Sequence, residues 1–405
     1  MKRILFVDDE THVLEGLERM LFSMQGQWEM AFAPSGQEAL ALLKVDEFDL
    51  VVTDMRMPGM DGAALLSEVA RLYPNTVRFV LTGQSDKETV FRSMGTAHQF
   101  LTKPCESKAL KATIERAFII RDVLGGTEIG RLVSQIDTLP AMPEAYSRLI
   151  QELDSPEASL TTVGRIVETD VAMTAKLLQL ANSAFFGLRQ RVSSAAQAVS
   201  LLGLETVKAL VLMVGVFTLP PDRKLTSKLH LEGLWNHSML VGLFAEAIGR
   251  CAGAAPQTVT DAFASGLLHD CGMLVLAQQG GPAYEAVLEA NQQDPQPFHR
   301  REQAALGCTH AEVGGYLLGI WGLPDAVIEA VAFHHEPSRS PAASFCALTA
   351  VHVANALAHE ASGASGLPAE AFLDLTYLDR LKLTGRLPQW REACLALHSK
   401  VEKVS

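Results

Sequence analysis

The sequence has little of what marks a secreted or membrane protein. Its 6 cysteines (Cys105, Cys251, Cys271, Cys308, Cys346 and Cys394) are scattered, with no C-x-x-C pair. That pattern excludes a disulfide frame and points to reduced thiols in a cytosol. Long hydrophobic runs are missing too. The most apolar run, residues 209–219, is far shorter than the roughly 20 residues that span a bilayer. The opening MKRILFVDDE meets Asp8 and Asp9 straight after ILFV, which predicts no signal peptide. Positive charge is scarce: 34 Lys and Arg stand against 46 Asp and Glu, a net charge of −12. Such a chain lacks the basic face that neutralises nucleic-acid phosphates, and no helix-turn-helix with a basic second helix is visible. No solenoid repeat or low-complexity tract appears. The expectation is a cytoplasmic protein, with two or three domains in its 405 residues.

Up to about residue 121 the chain alternates short apolar runs with amphipathic stretches. ILFV, DLVVTD, VRFVLTG and QFLTKP read as buried parallel strands, because strands covered on both faces are continuously apolar. WEMAFA adds a weaker strand. Residues 13–24, 36–45, 63–73 and 86–94 carry helical spacing, with Ser35 and Ser85 as N-caps. The alternation predicts a doubly wound α/β sheet of five parallel strands, whose ligands sit at the carboxyl ends of the strands. Asp8 and Asp9 follow the first strand, Asp54 the third, Thr82 the fourth and Lys103 the fifth. Three carboxylates at one sheet edge repel one another without a cation. Oxygen ligands without thiols favour a hard octahedral ion, so Mg²⁺ is expected there.

A helix over 108–124, the pair Gly125–Gly126 and an amphipathic stretch over 127–136 make a hinge between domains. From Pro143 onward strand signals nearly vanish. Residues 145–154, 160–168, 170–181, 193–202 and 205–217 show helical apolar spacing, and Asp170 is a candidate N-cap. The histidines fall in apolar stretches of this helical part: His237 in WNHSMLVGLFAEA, His269–Asp270 in ASGLLHDCGMLVL, His310 in THAEVGGYLLGIW, His334–His335 in AVIEAVAFHHEP. Asn355 lies in AVHVANALAHE.

FVDDE, VVTDMRMPGMDG, VLTG and FLTKP resemble the motifs of response-regulator receiver domains, over roughly residues 1–121. The resemblance implies a flavodoxin-like fold in which Asp54 accepts a phosphoryl group from a sensor histidine kinase. It implies Mg²⁺ held by Asp8, Asp9, Asp54 and the backbone carbonyl of Arg56. Lys103 and Thr82 would meet phosphoryl oxygens, Phe100 would be the aromatic switch, and the bond to Pro104 is commonly cis in the family. A homodimer through the receiver's last helix and strand face is usual for it.

The order H…HD…H…HH…D is similar to that of the HD superfamily of metal-dependent phosphohydrolases. Here Asn355 stands at the closing carboxylate and Met273 at the lysine of HD-x-G-K, and PSRSP follows HHE in place of a Gly-Tyr-Pro signature. The longer stretches TLPAMPEAYSRLIQEL, VETDVAMTAKLLQLANSAFFG, AQAVSLLGLETVKALVL, LWNHS and GLLHDCGML resemble the HDOD group, the HD-related output domains. That implies an all-α domain working through protein interactions with downstream signalling proteins.

The expected division is a receiver at 1–121, a linker at 122–137, an HDOD domain at 138–356 and a helical extension at 357–405 packed on it. The leading expectation is a two-component response regulator with a non-catalytic output. The alternative is a phosphorylation-gated phosphodiesterase of cyclic dinucleotides or nucleotides that uses His237, His269, Asp270, His310, His334 and His335 on a residual divalent metal. In that case His352 or His359, on the helix face of Asn355, would supply the missing ligand.

Overall fold

The computed structural model describes residues 1–83, 96–124, 127–134, 143–155, 157–182, 191–204, 207, 229–293, 297–362 and 368–402. Outside them lie Ser85, the helix expected over 86–94, the pair 125–126, and all of the helix expected over 205–217 except Val207.

Five parallel strands form one sheet: β1 (Lys2–Val7), β2 (Trp28–Ala33), β3 (Leu50–Asp54), β4 (Val77–Gly83) and β5 (Gln99–Lys103). Their order is β2-β1-β3-β4-β5, a doubly wound, flavodoxin-like sheet. The apolar runs become strands because both faces are covered, and every residue of β3 is buried. Helices α1 (Thr11–Leu21), α2 (Gly36–Val45), α3 (Gly62–Leu72) and α4 (Ser107–Leu124) do the covering. Ser35 caps α2 as expected, its side chain accepting the Glu38 N–H. The register pairs Val80 with Phe100 and Thr82 with Thr102. Asp8, Asp54, Thr82 and Lys103 therefore share one edge.

The rest is helical. In chain order it runs α5 (Thr127–Ser134), α6 (Pro143–Asp154), α7 (Leu160–Glu168), α8 (Val171–Asn182), α9 (Ala195–Leu202), α10 (Leu231–Cys251) and α11 (Pro256–Leu268). There follow α12 (Cys271–Gln279), α13 (Gly281–Gln293), α14 (Phe298–Leu306), α15 (His310–Ile320), α16 (Asp325–Phe333), α17 (Ala347–Ser362), α18 (Leu375–Arg380) and α19 (Leu387–Glu402). Asp170 does cap α8: Oδ1 accepts the Met173 N–H at 2.8 Å, and Oδ2 accepts from Trp235 Nε1 at 2.8 Å on α10. One polar residue thus starts a helix and ties it to a distant one.

Two helices run across the expected division. Residue 121 falls inside α4 and residue 356 inside α17, because neither helix meets a proline or glycine at those positions. The extension is continuous with the helical body. Trp390 and Cys394 of α19 are buried in one apolar cluster with Phe244 of α10 and Val351 of α17. All six cysteines are free. Among the described residues one stretch, Pro256–Gln279, is long and apolar enough to cross a membrane by length and composition, and it is 83% buried inside the molecule. It comprises α11 and α12, apolar because they form the centre of the helical core.

Glycine sets how closely these central helices approach. A Cβ on Gly266 would lie 2.8 Å from Gly242 Cα, so α10 and α11 pack backbone to backbone. A Cβ on Gly272 would lie 2.0 Å from the His310 carbonyl oxygen, at the start of α15. The neighbour there is backbone and cannot swing away. Gly272→Ala is expected to cost about 1–3 kcal/mol of stability through overpacking, read as a lower urea midpoint with an unchanged m-value.

Candidate functional site

Two sites emerge. In the first, Lys103 Nζ at the end of β5 lies 2.5 Å from Asp8 Oδ2 and 2.5 Å from Asp54 Oδ1. Asp8 is 1% exposed and Asp54 8%. The second oxygen of Asp54 accepts the Arg56 N–H at 2.7 Å. Burial pushes the Asp54 carboxyl up despite Lys103 and that N–H. Burial also works against the Lys103 ammonium, but the two carboxylates outweigh it and hold the lysine above its ordinary value. The Asp9 side chain is exposed beside this group. Thr82 is fully buried, and its hydroxyl has no hydrogen-bond partner among the described residues. Phe100, 1% exposed, is packed inward from β5, and the Lys103–Pro104 bond is cis.

In the second site the histidines converge on Asp270. His269 Nε2 lies 3.1 Å from Oδ2; His310 Nε2 lies 3.2 Å and His334 Nε2 3.8 Å from Oδ1. His237 Nε2 is 4.0 Å from Oδ2 and 3.0 Å from Asn355 Oδ1. His335 Nε2 is 3.0 Å from His310 Nε2. The sequence places these residues in apolar helices, yet most of them occupy helix ends. His269 and Asp270 form the break between α11 and α12, His310 opens α15, and His334–His335 follow α16. A capping box between Thr309 and Glu312 fixes the start of α15 and with it His310.

Hydrogen bonding assigns the ring protons. His269 Nδ1 is 2.8 Å from the Gly266 carbonyl and His334 Nδ1 2.8 Å from that of Val331. A carbonyl only accepts, so both Nδ1 atoms carry hydrogen. Both Nε2 atoms are buried and have no hydrogen-bond partner among the described residues. Each Nε2 faces the Asp270 carboxylate, at 3.1 Å from His269 and 3.8 Å from His334, a setting that favours a cation shared with it, a proton or a metal ion. Nδ1 held by backbone and a bare Nε2 is the arrangement of a metal-ligating histidine. His310, His334 and His335 form one group whose ligand atoms lie within 4.8 Å of one another, and His237, His269 and Asp270 form another. This donor set fits a divalent transition ion. Burial raises the Asp270 carboxyl, but His269 and His310 more than compensate and hold it well below the usual range. Burial pushes His237 down to about 3, and His334 and His335 well below 6.5. His310 goes the other way: against burial, Glu302 and Asp270 raise it to about 10.

Glu302 is the residue that sequence reasoning missed. Fully buried on α14, it accepts from His310 Nδ1 at 2.5 Å and from the His310 backbone N–H at 2.9 Å. His299 stacks on His335, ring centroids 4.2 Å apart. His352 is not free to replace a ligand. Its Nδ1 donates to the His334 carbonyl at 2.7 Å, and its Nε2 accepts the Asp374 N–H at 2.8 Å. His359 does stand at the cluster, 4.7 Å from the His237 ring. Met273 packs half-buried against the apolar core. A cavity of about 650 Å³ opens beside the cluster, walled by His299, Arg300, Arg339 and Asn355 and by Ala371–Asp374 of the extension.

The response regulator receiver domain family matches residues 4–115, and the HDOD domain family matches residues 139–337. An uncharacterized protein of Treponema pallidum (strain Nichols) is 27% identical over 236 residues, 56% of this chain and 44% of that protein. A response regulator receiver protein of Anaeromyxobacter sp. (strain Fw109-5) is 45% identical over 82 residues, 20% of this chain and 34% of its own. The chain thus spans less than half the length of these curated relatives. Among solved structures, the MmoQ response regulator of Methylococcus capsulatus is 21% identical, covering 64% of this chain and 93% of its own at a TM-score of 0.48. The signal receiver domain of an HD domain-containing protein from Pseudomonas fluorescens Pf-5 is 29% identical, covering 30% of this chain and 97% of its own at a TM-score of 0.29. By its two family matches, the chain joins a response regulator receiver domain to an HDOD domain.

Proposed function

We propose that Asp54 accepts a phosphoryl group from a sensor histidine kinase and that the helical domain passes this state to downstream signalling proteins. The observation that carries the reading is Lys103 Nζ, 2.5 Å from both Asp8 and Asp54 in a buried pocket at the strand ends. Asp54 offers Oδ1 as nucleophile while the Arg56 N–H holds Oδ2. Mg²⁺, held by Asp8, Asp9, Asp54 and the Arg56 carbonyl, would neutralise charge on the transferring phosphoryl oxygens. Lys103 needs only a small shift to pair with one of those oxygens. The Thr82 hydroxyl, buried without a partner among the described residues, gains an acceptor when Asp54 is modified. Drawing Thr82 inward moves β4 against β5, where Phe100 is packed.

The helical domain is read as a non-hydrolytic output. Met273 offers no cation to a scissile phosphate, and the Asn355 amide lacks the charge of a carboxylate. A second reading, a metal-dependent phosphodiesterase of cyclic dinucleotides or nucleotides, is favoured by the bare Nε2 atoms of His269 and His334. His237, His269, Asp270, His310, His334 and His335 would hold the metal there, and the metal would activate a water.

Radiolabelled acetyl phosphate is expected to label the wild-type protein and leave Asp54→Asn unlabelled; undiminished labelling of the variant rejects the phospho-acceptor. Protein purified from cells is expected to carry a transition ion by elemental analysis, and His269→Ala to lose it. Glu302→Gln is expected to weaken metal binding roughly 10- to 100-fold, because His310 loses its charged partner. Metal-dependent turnover of a cyclic dinucleotide or nucleotide, absent in His269→Ala, would establish the second reading; a metal-loaded protein without turnover supports the first.

A further inference from the structure

The helices that carry the histidine ligands form a hairpin, and the receiver grips its turn. Helix α15 begins at His310 and ends at Ile320; α16 begins at Asp325 and leads into His334–His335. The ligands thus occupy the open end, and residues 321–324 occupy the turn. In the receiver, Gln99 opens β5, directly before Phe100. Its Nε2 donates to the Ile320 carbonyl at 3.0 Å, and Gly322 in the turn, at φ +83°, leaves room for that amide. Arg116 of α4 donates to the Leu323 carbonyl and pairs with Asp325 Oδ1 at 2.6 Å. Along the hairpin, Gly319 and Gly315 bring α15 onto Ile120 and Leu124 of α4, so closely that a Cβ on Gly319 would lie 2.7 Å from Ile120. One apolar cluster contains Phe100, Ile120 and Leu124 together with Leu317, Ile320 and Val331.

We infer that Gln99 and Arg116 are positioning residues for the histidine site, and that the α15–α16 hairpin makes the state of Asp54 and the metal occupancy of the His310/His334 site energetically dependent on each other. This rests on the readings of Asp54 as phospho-acceptor and of the histidine cluster as a metal site. Eleven residues of α15 span about 16 Å, and a packed helix transmits a shift at its last turn to its first. Displacing β5 at Phe100 moves Gln99, hence the Ile320 carbonyl, hence the far end of α15 where His310 meets Asp270.

Linkage is reciprocal, so either site can report on the other. The probe is Zn²⁺, titrated into full-length metal-free protein in excess Mg²⁺ by competition with a chromophoric chelator, with and without beryllofluoride as a phosphoryl mimic. Imidazole-rich sites select Zn²⁺ over the oxygen-lined receiver pocket. Beryllofluoride is expected to shift Zn²⁺ affinity by about five-fold or more. In the double variant Gln99→Ala, Arg116→Ala the shift is expected to fall below about two-fold while both ligands still bind. Arg116→Lys alone, which keeps the charge on a differently shaped head group, is expected to retain part of it and guards against a folding defect in the double variant. Zn²⁺ binding that ignores beryllofluoride in the wild type, or a full shift in the double variant, overturns the inference alone. Absence of Zn²⁺ binding removes the metal reading, and absence of a beryllofluoride effect on any receiver signal removes the phospho-acceptor reading; either takes the inference with it.

Discussion

Asp8, Asp54, Asp270 and Glu302 are all carboxylates taken out of water. Each such burial costs several kcal/mol unless a cation is placed against the charge. The receiver meets the demand with a resident side chain: Lys103 stands between Asp8 and Asp54, and its flexible stem lets it follow the negative charge as that charge moves. In the helical domain, among the described residues, no lysine or arginine pairs with Asp270. Met273 stands where a lysine would, and the groups around Asp270 are imidazoles. Positive charge must arrive as a proton, which His310 accepts with Glu302 behind it, or as a metal. One constraint therefore yields a site suited to exchanging partners and a site suited to retaining one.

Precision in the second site comes from helix ends. A side chain in mid-helix is placed by the whole helix, whereas one at a terminus is placed by the cap that fixes that terminus. Thr309 and Glu312 fix His310 in this way, and Arg339, 3.1 Å from Glu312, braces the cap. The break at His269–Asp270 lets consecutive residues face a single point. Backbone carbonyls of the preceding turns, Gly266 and Val331, orient the rings of His269 and His334. Gly242, Gly266 and Gly272 remove the side chains that would hold these termini apart.

Much of this was legible in the sequence, and the remainder had identifiable reasons to be hidden. Continuous apolar strands and acids at their ends announce the sheet edge, because parallel strands leave little else polar. The Ser35 and Asp170 caps were readable because capping is local chemistry. Glu302 was not, since FHRREQAAL has the polarity of a solvated helix and only its packing against His310 reveals one buried acid. His352 misled for the opposite reason: it shares a face with Asn355, yet its two nitrogens are engaged by the His334 carbonyl and the Asp374 N–H. Facing a site along a helix does not show which nitrogen is free.

The segment beyond the HDOD match completes the helical site. The match ends at residue 337, but Asn355 and His359, which meet His237, lie on α17. Past that helix, Asp374 is held by the Ser338 hydroxyl at 2.5 Å and caps α18 through the Tyr377 N–H. Its own N–H is thereby aimed at His352, and His352 in turn fixes the carbonyl of His334, whose Nε2 faces Asp270. Phe372 stacks on His359 at 5.0 Å and closes the cavity from the same side. The imidazoles are thus held from two directions. The receiver reaches His310 and His334 through the α15–α16 turn, and the extension reaches His334 through His352. Because His334 lies on both routes, a change in either neighbour is felt at the same buried ring.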